Sequence, residues 1–218
     1  MIAPGRGRLE AACGAIAAVL LIAVIPGLPV WAGYLMLWVP LVAAVGVATQ
    51  RSGPAIDLDD SALRIRFRIT WMDVLVGAFI GLLLRTVIIV IELFSVGFVT
   101  SSSSMFRVDH DLLWIATAII APVLVAPIVE ELFFRGLVLP AIGRNWIGIV
   151  GSAVIFSAVH LVTGFHPITA VSTFIVGVAF GILAVRTGRL GASITAHMVY
   201  NGSLIAMSEL GGMAAFSG

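Results

Sequence analysis

Residues 112–139 read LLWIATAIIAPVLVAPIVEELFFRGLVL, and this stretch decides the fold class. An apolar helix needs about 20 residues to cross the hydrocarbon core of a bilayer, so the stretch is long enough to do so. It also contains Glu130, Glu131 and Arg135. Because ionisable groups inside a bilayer are costly, the stretch predicts a membrane span whose charged side chains have partners or a function.

The rest of the chain has the same apolar character. Of its 218 residues, 61% are hydrophobic and 11% are charged, and the mean hydropathy is +1.16. Soluble domains contain about 45–50% apolar and about 25% charged residues. A disulfide-bonded secreted scaffold is excluded because Cys13 is the single cysteine, and a net charge of +1 argues against a nucleic-acid-binding protein. The composition therefore predicts a polytopic helical membrane protein.

The apolar segments predict an all-α, polytopic transmembrane helical bundle of about seven spans. They cover residues 9–25, 30–49, 71–98, 112–139, 146–162, 169–185 and 190–210. Residues 51–70 form the most polar stretch and are predicted to be a solvated loop. Arg alternates with apolar residues at 63–69, which leaves a short strand or an interfacial segment open there.

Aromatic and charged side chains occur within the second and third spans. Trp31, Tyr34 and Trp38 in the second span are available for interfacial or packing roles. Arg85 and Glu92 in the third span are seven residues apart, which places them two turns apart on roughly one face. We expect each of the two charged groups to bond a neighbouring helix or to reach the interface.

The arginines predict the orientation of the spans. All twelve basic residues are arginine, and cytoplasmic loops retain an excess of Lys and Arg. If the N-terminus is cytoplasmic, seven spans leave only Arg107 outside and Arg85 within a span. The other ten then lie on the inner side: Arg6, Arg8, Arg51, Arg64, Arg66, Arg68, Arg135, Arg144, Arg186 and Arg189. We therefore expect a cytoplasmic N-terminus and a C-terminus outside.

The fourth span has two glutamates with different surroundings. Glu131 and Arg135 are four residues apart, which predicts an ion pair on one face of the helix. Glu130 lies about 100° further round the helix and points elsewhere. A lone carboxylate in a dry cavity suits a general base. The alternative is a pair of glutamates at a helix end, but the apolar run continues to Pro140.

Two later spans each add a histidine with a neighbour one turn away. Phe156 and His160 are four residues apart in the fifth span, and His197 and Asn201 are four apart in the seventh. Side chains at this spacing lie on one face of a helix. A single buried histidine is commonly a packing residue. Three polar sites on separate apolar helices indicate a shared function.

The chain resembles the CAAX prenyl endopeptidase and bacteriocin-processing (CPBP) family of intramembrane proteases, also called the Abi family. The resemblance rests on three motifs in order: Glu130-Glu131-x-x-x-Arg135, Phe156-x-x-x-His160 and His197-x-x-x-Asn201. It covers roughly residues 112–210. We accordingly divide the chain into N-terminal helices with a cytoplasmic loop (1–111), a catalytic transmembrane core (112–210) and a C-terminal tail (211–218).

The resemblance implies a role for each motif residue. Glu130 and His160 would activate water, while His197 and Asn201 would stabilise the oxyanion of the intermediate. Three further residues would support this site: Glu131, Arg135 and Phe156. The implied reaction is the hydrolysis of a peptide bond in a membrane-associated substrate, either a prenylated CAAX-type protein or a bacterial peptide. The implied partners are membrane lipid and a peptide or lipidated protein, and not nucleic acid.

Several alternatives remain open at this point. We expect no required cofactor, although Glu130, His160 and His197 form a His₂Glu set of the kind that holds catalytic zinc. A non-catalytic scaffold or immunity protein, or a proton-coupled transporter, would use the same buried Glu and His groups. A His-Glu-x-x-His zinc motif is absent from the sequence. An arginine-only chain rich in Ala and Gly indicates a GC-rich bacterial genome, and we accordingly expect the protein in a bacterial plasma membrane.

Overall fold

The computed structural model describes residues 8–24, 29–51, 67–96, 112–163 and 167–216. These residues form seven helices. Short connections join some of them, and the stretches between the other helices lie wholly or partly outside the described ranges. The helices are α1 (Arg8–Val24), α2 (Val30–Arg51), α3 (Trp71–Val96), α4 (Leu112–Ile142), α5 (Trp146–Thr163), α6 (Pro167–Thr187) and α7 (Gly191–Phe216). The predicted all-α bundle is confirmed. The predicted strand or interfacial segment at 63–69 lies mostly outside the described residues.

Four of the helices, α2, α3, α4 and α6, are long and apolar enough to cross a membrane. Shorter apolar stretches occur in α1 (Leu9–Leu21) and α5 (Trp146–Leu161). Large apolar side chains point outward from the bundle, including Phe79 and Ile147, which are 67% and 72% exposed. An exterior of this kind is stable when lipid surrounds it, because lipid tails are as apolar as the side chains.

Close helix packing brings α3 against α7. A Cβ atom added to Gly77 would lie 2.6 Å from the carbonyl oxygen of Ala192, and one added to Gly81 would lie 2.5 Å from that of Ala196. No larger residue fits at either position without a shift of the backbone. Glycines four residues apart allow this approach in membrane helices. The contact positions α7, which contains His197 and Asn201.

Helix α4 is continuous but irregular. Two of its segments, Ile115–Val125 and Phe134–Val138, are π-helical. At the end of the first, the Ala126 N–H bonds the Ala121 carbonyl, five residues earlier. In this register the carbonyl of Pro122 would accept from residue 127, which is proline and has no N–H. That carbonyl therefore needs a donor from another helix.

Arg85 is buried between α3 and α7. Its Nη2 atom donates to the carbonyl oxygen of Tyr200 at 3.1 Å, and its guanidinium lies 4.0 Å from the centre of the Tyr200 ring. The expectation that Arg85 bonds a neighbouring helix is confirmed. Together with the glycine contacts, this interaction fixes α7 against α3.

Candidate active site

The predicted ion pair in α4 is confirmed. Arg135 Nη1 donates to Glu131 Oε1 at 2.8 Å, and both side chains are fully shielded from solvent. Nη2 of the same guanidinium donates to the carbonyl oxygen of Gly177 in α6 at 3.0 Å. The guanidinium also lies 4.7 Å and 5.5 Å from the ring centres of Phe156 and Phe180. The pair thus joins α4 to α5 and α6.

His197 is connected to the same carboxylate. Its Nδ1 atom lies 3.1 Å from Glu131 Oε1, the oxygen that also accepts from Arg135. An ionised carboxylate can only accept, so Nδ1 donates its proton in this contact. The orientation of the ring is further fixed by Phe180, whose centre is 5.0 Å away. As a result, the Nε2 atom of His197 faces Glu130.

Glu130 lies between two imidazole rings. Its Oε2 atom is 3.8 Å from Nε2 of His160 and 3.8 Å from Nε2 of His197. Both distances exceed a direct hydrogen bond, and this shielded oxygen has no hydrogen-bond partner among the described residues. Separations of this size between polar atoms are commonly bridged by water. The three atoms therefore surround a position for a small polar reactant.

His160 is oriented by its own helix. Its Nδ1 atom lies 2.9 Å from the carbonyl oxygen of Phe156, which can only accept, so Nδ1 carries a proton. In the neutral ring, Nε2 then carries a lone pair, and this atom lies 3.8 Å from Glu130 Oε2. The His160 side chain is 27% exposed, whereas those of Glu130 and His197 are 6% and 5% exposed. The site is consequently open on the His160 side.

Asn201 supplies the donor that α4 lacks. Its Nδ2 atom donates to the carbonyl oxygen of Pro122 at 2.8 Å. This is the carbonyl that the π-helical register and Pro127 leave without a backbone amide. The second N–H of the same amide is not used in this bond. The interhelical hydrogen bond is observed, and the oxyanion role of Asn201 stays a prediction.

Glu130, His160 and His197 are the residues that would hold a metal ion in the His₂Glu alternative. Within the described ranges, no group of three or more His, Cys, Asp or Glu is arranged to hold a metal ion. Glu130 Oε2 lies 3.8 Å from the Nε2 atoms of both imidazoles. Metal binding by Glu130, His160 and His197 stays an alternative to the metal-free site.

Gly177 and Phe180, both in α6, belong to the site but have no counterpart in the sequence prediction. A Cβ atom on Gly177 would lie 3.1 Å from that of Ala153, so a glycine allows α6 close to α5. The four-residue spacing of Gly177 and Gly181 is a signal that could have identified this contact. No local pattern identifies Phe180, because its role depends on how α6 packs against α4 and α7.

A family model described as type II CAAX prenyl endopeptidase, Rce1-like, matches residues 112–203. This region belongs to the CAAX protease family. No curated protein and no solved structure matches the chain significantly. The CAAX protease region contains every predicted site residue and runs from the start of α4 into α7. Its family and the four long apolar helices identify the chain as an integral membrane protein.

Proposed function

We propose that this protein is an intramembrane endopeptidase that uses Glu130 to activate water. The observation that carries the proposal is the shielded Glu130 Oε2 atom, 3.8 Å from the Nε2 atoms of both His160 and His197. A carboxylate with an open oxygen beside two oriented imidazoles suits general base catalysis. Membership of residues 112–203 in a peptidase family supports the same reaction class.

The chemical step begins with a water molecule between Glu130 and His160. Glu130 accepts a proton from this water, and the resulting hydroxide attacks the carbonyl carbon of the substrate peptide bond. The C=O π electrons move to oxygen, which gives a tetrahedral oxyanion. The oxyanion then re-forms the C=O bond, the C–N bond breaks, and the protonated Glu130 gives its proton to the leaving nitrogen. The products are one carboxyl and one amine terminus.

His197 is the proposed donor to the oxyanion, and this role requires a proton on both of its ring nitrogens. Its Nδ1–H would remain on Glu131, and its Nε2–H would donate to the oxyanion. Donors that act on charge formed in the transition state lower the barrier directly. The second N–H of Asn201 is our candidate for the other donor.

The proposed substrate is a membrane-associated peptide or lipidated protein, with prenylated CAAX proteins as the first candidates. The name of the matching family supports this substrate class. The proposal requires no metal, because Glu130 accepts the proton itself. Turnover should therefore be unchanged after EDTA treatment. A loss of turnover that zinc restores would instead favour the His₂Glu alternative.

Identification of the cleaved bond tests the proposed reaction. The purified protein is incubated in detergent with S-farnesylated and unmodified peptides ending in a CAAX sequence, and the products are measured by mass spectrometry. Wild type should release the last three residues, while Glu130→Gln should not. If both proteins give the same products, or neither cleaves any peptide, the proposed function fails. A Glu130→Gln variant that retains the full cellular effect would favour a scaffold or transporter.

We also propose that the N-terminus is cytoplasmic and the C-terminus outside. The distribution of arginines supports this orientation. After Cys13 is replaced by Ser, single cysteines at Ser52 and Ser103, both outside the described residues, should label from opposite sides of the membrane. Labelling of both positions from one side would contradict the seven-span topology.

A further inference from the structure

Helix α2 lies outside the CAAX protease region but packs against the helix that contains Glu130. Leu41 and Ala44 of α2 are buried in one hydrophobic cluster with Phe133 of α4 and Phe156 of α5. Leu37 packs against the same cluster. One face of α2 is therefore part of the wall around the candidate active site.

Two aromatic residues extend this face of α2. Tyr34 precedes Leu37 by three residues and Leu41 by seven, which places it on the same face of the helix. Trp38 follows one turn after Tyr34, and the two rings stack with their centres 4.7 Å apart and an interplanar angle of 12°. This face of α2 packs against Phe133, which follows Glu130 by three residues in α4. The stacked pair thus extends the α2 face that packs against the Glu130 segment of α4.

The indole N–H of Trp38 has no acceptor. Its Nε1 atom is shielded and makes no hydrogen bond to any described residue. An indole nitrogen can only donate, and a buried donor without a partner costs free energy. Oε2 of Glu130, in the helix against which α2 packs, is a shielded acceptor that is also without a hydrogen bond. An unused donor and an unused acceptor on two packed helices would both be satisfied by a polar ligand that binds between these helices.

We propose that Trp38 is a substrate-binding residue whose indole N–H donates a hydrogen bond to a main-chain carbonyl of the peptide substrate, while Tyr34 positions the indole by stacking. This inference rests on the proposed function and deepens it. A peptide strand in an apolar site has carbonyl groups that lack water as a donor. The indole supplies such a donor without adding charge.

Replacement of the N–H alone tests this role. Trp38→Phe keeps an aromatic ring on Tyr34 but has no donor, and Trp31→Phe is the matched control, because Trp31 is on the same helix and 49% exposed. Loss of one neutral hydrogen bond should raise the KM for the S-farnesylated CAAX peptide roughly 3- to 10-fold, with kcat nearly unchanged. When Trp38→Phe is added to the inactive Glu130→Gln protein, the Kd of the same peptide should rise by the same factor.

The outcomes separate this inference from the proposed function. If wild type cleaves the peptide but Trp38→Phe has the KM and Kd of the Trp31→Phe control, the substrate-binding role is wrong and the protease assignment stands. If wild type does not cleave the peptide, both fail. Should Trp38→Phe fold poorly, the Glu130→Gln protein labelled with 5-fluorotryptophan gives a second measurement. The ¹⁹F resonance of Trp38, assigned by Trp→Phe changes at the other four positions, must shift when peptide is added, and an unchanged resonance overturns the role.

Discussion

The acidic residues at the start of α3 and in the middle of α4 differ in how completely they are hydrogen-bonded. Asp73 accepts from Arg189 Nε at 3.1 Å and Nη2 at 2.9 Å, and from the Thr70 N–H and hydroxyl at 2.8 Å each. Both of its oxygens are used. In α4, Oε2 of Glu130 and Oε2 of Glu131 are shielded and accept no hydrogen bond from the described residues.

This difference separates a fully hydrogen-bonded ion pair at the start of α3 from a carboxylate cluster in α4 that has unused acceptors. The Thr70–Asp73 pair forms a capping box at the start of α3, and Arg189 attaches the connection between α6 and α7 to it. The hydrogen bond to Asp73 raises the pKa of Arg189 above its ordinary value, so the pair stays charged. Unused acceptors in the α4 cluster are costly unless a ligand or water completes them. The Asp73 site is therefore expected to act in stability, whereas the unused acceptors of the α4 cluster support the proposed chemistry there.

The largest expected effect comes from Glu131→Gln. The change leaves Arg135 buried without its carboxylate partner, and breaking a buried ion pair typically costs about 3–5 kcal/mol. It also replaces the charged acceptor of His197 with a neutral amide, which holds the ring less firmly. We expect a lower melting temperature and loss of turnover together, measured on the same detergent-purified sample. Glu92→Gln, the same change in α3 away from this cluster, is the control. A native melting temperature for Glu131→Gln would show that the ion pair does not stabilise the fold.

Asn201→Ala should have a somewhat smaller effect on activity. If its free N–H stabilises the oxyanion, kcat should fall by about 10²–10³-fold with little change in KM. The melting temperature should also fall, because the Pro122 carbonyl loses its donor. Asn201→Asp should be at least as harmful to kcat, since its carboxylate repels the oxyanion. Lower stability with an unchanged kcat in the folded protein would leave Asn201 a packing residue only.

Arg189→Gln should have the smallest effect. The arginine side chain is 31% exposed, so water screens its attraction to Asp73. The remaining Thr70 hydrogen bonds keep the α3 cap in place. We expect a melting temperature lower by a few degrees and an unchanged kcat. A large loss of kcat at native stability would contradict a purely structural role for the Asp73–Arg189 pair.

The local parts of this architecture could be predicted from the sequence. Helix positions follow from apolar segments bounded by turn residues, and the Glu131–Arg135 pair follows from a four-residue spacing within one helix. The π-helical segments of α4 could not be predicted, because a helix that is apolar on all sides has no periodic pattern to reveal a changed register. The sequence contains Pro122 and Pro127, but it does not show that the Pro122 carbonyl lacks a backbone donor. Nor does it show that Asn201, in a helix distant in sequence, supplies this donor.

Contacts between helices were the least predictable part of the candidate site. The Arg135 bond to the Gly177 carbonyl involves a main-chain atom, for which a sequence has no specific signal. The sequence predicts only general interfacial or packing roles for Tyr34 and Trp38, because their surroundings depend on how α2 packs against α4. Membrane helices share an apolar surface, so composition alone does not reveal which faces meet.

The central claim is that Glu130 is the general base, and kcat of the Glu130→Gln variant tests it most directly. The amide keeps the size of the side chain but cannot accept the proton, so kcat should fall by about 10²–10⁴-fold. The melting temperature should stay close to that of Glu92→Gln, because Glu130 makes no ion pair with Arg135 in α4. Near-normal kcat for a folded Glu130→Gln protein would contradict the account.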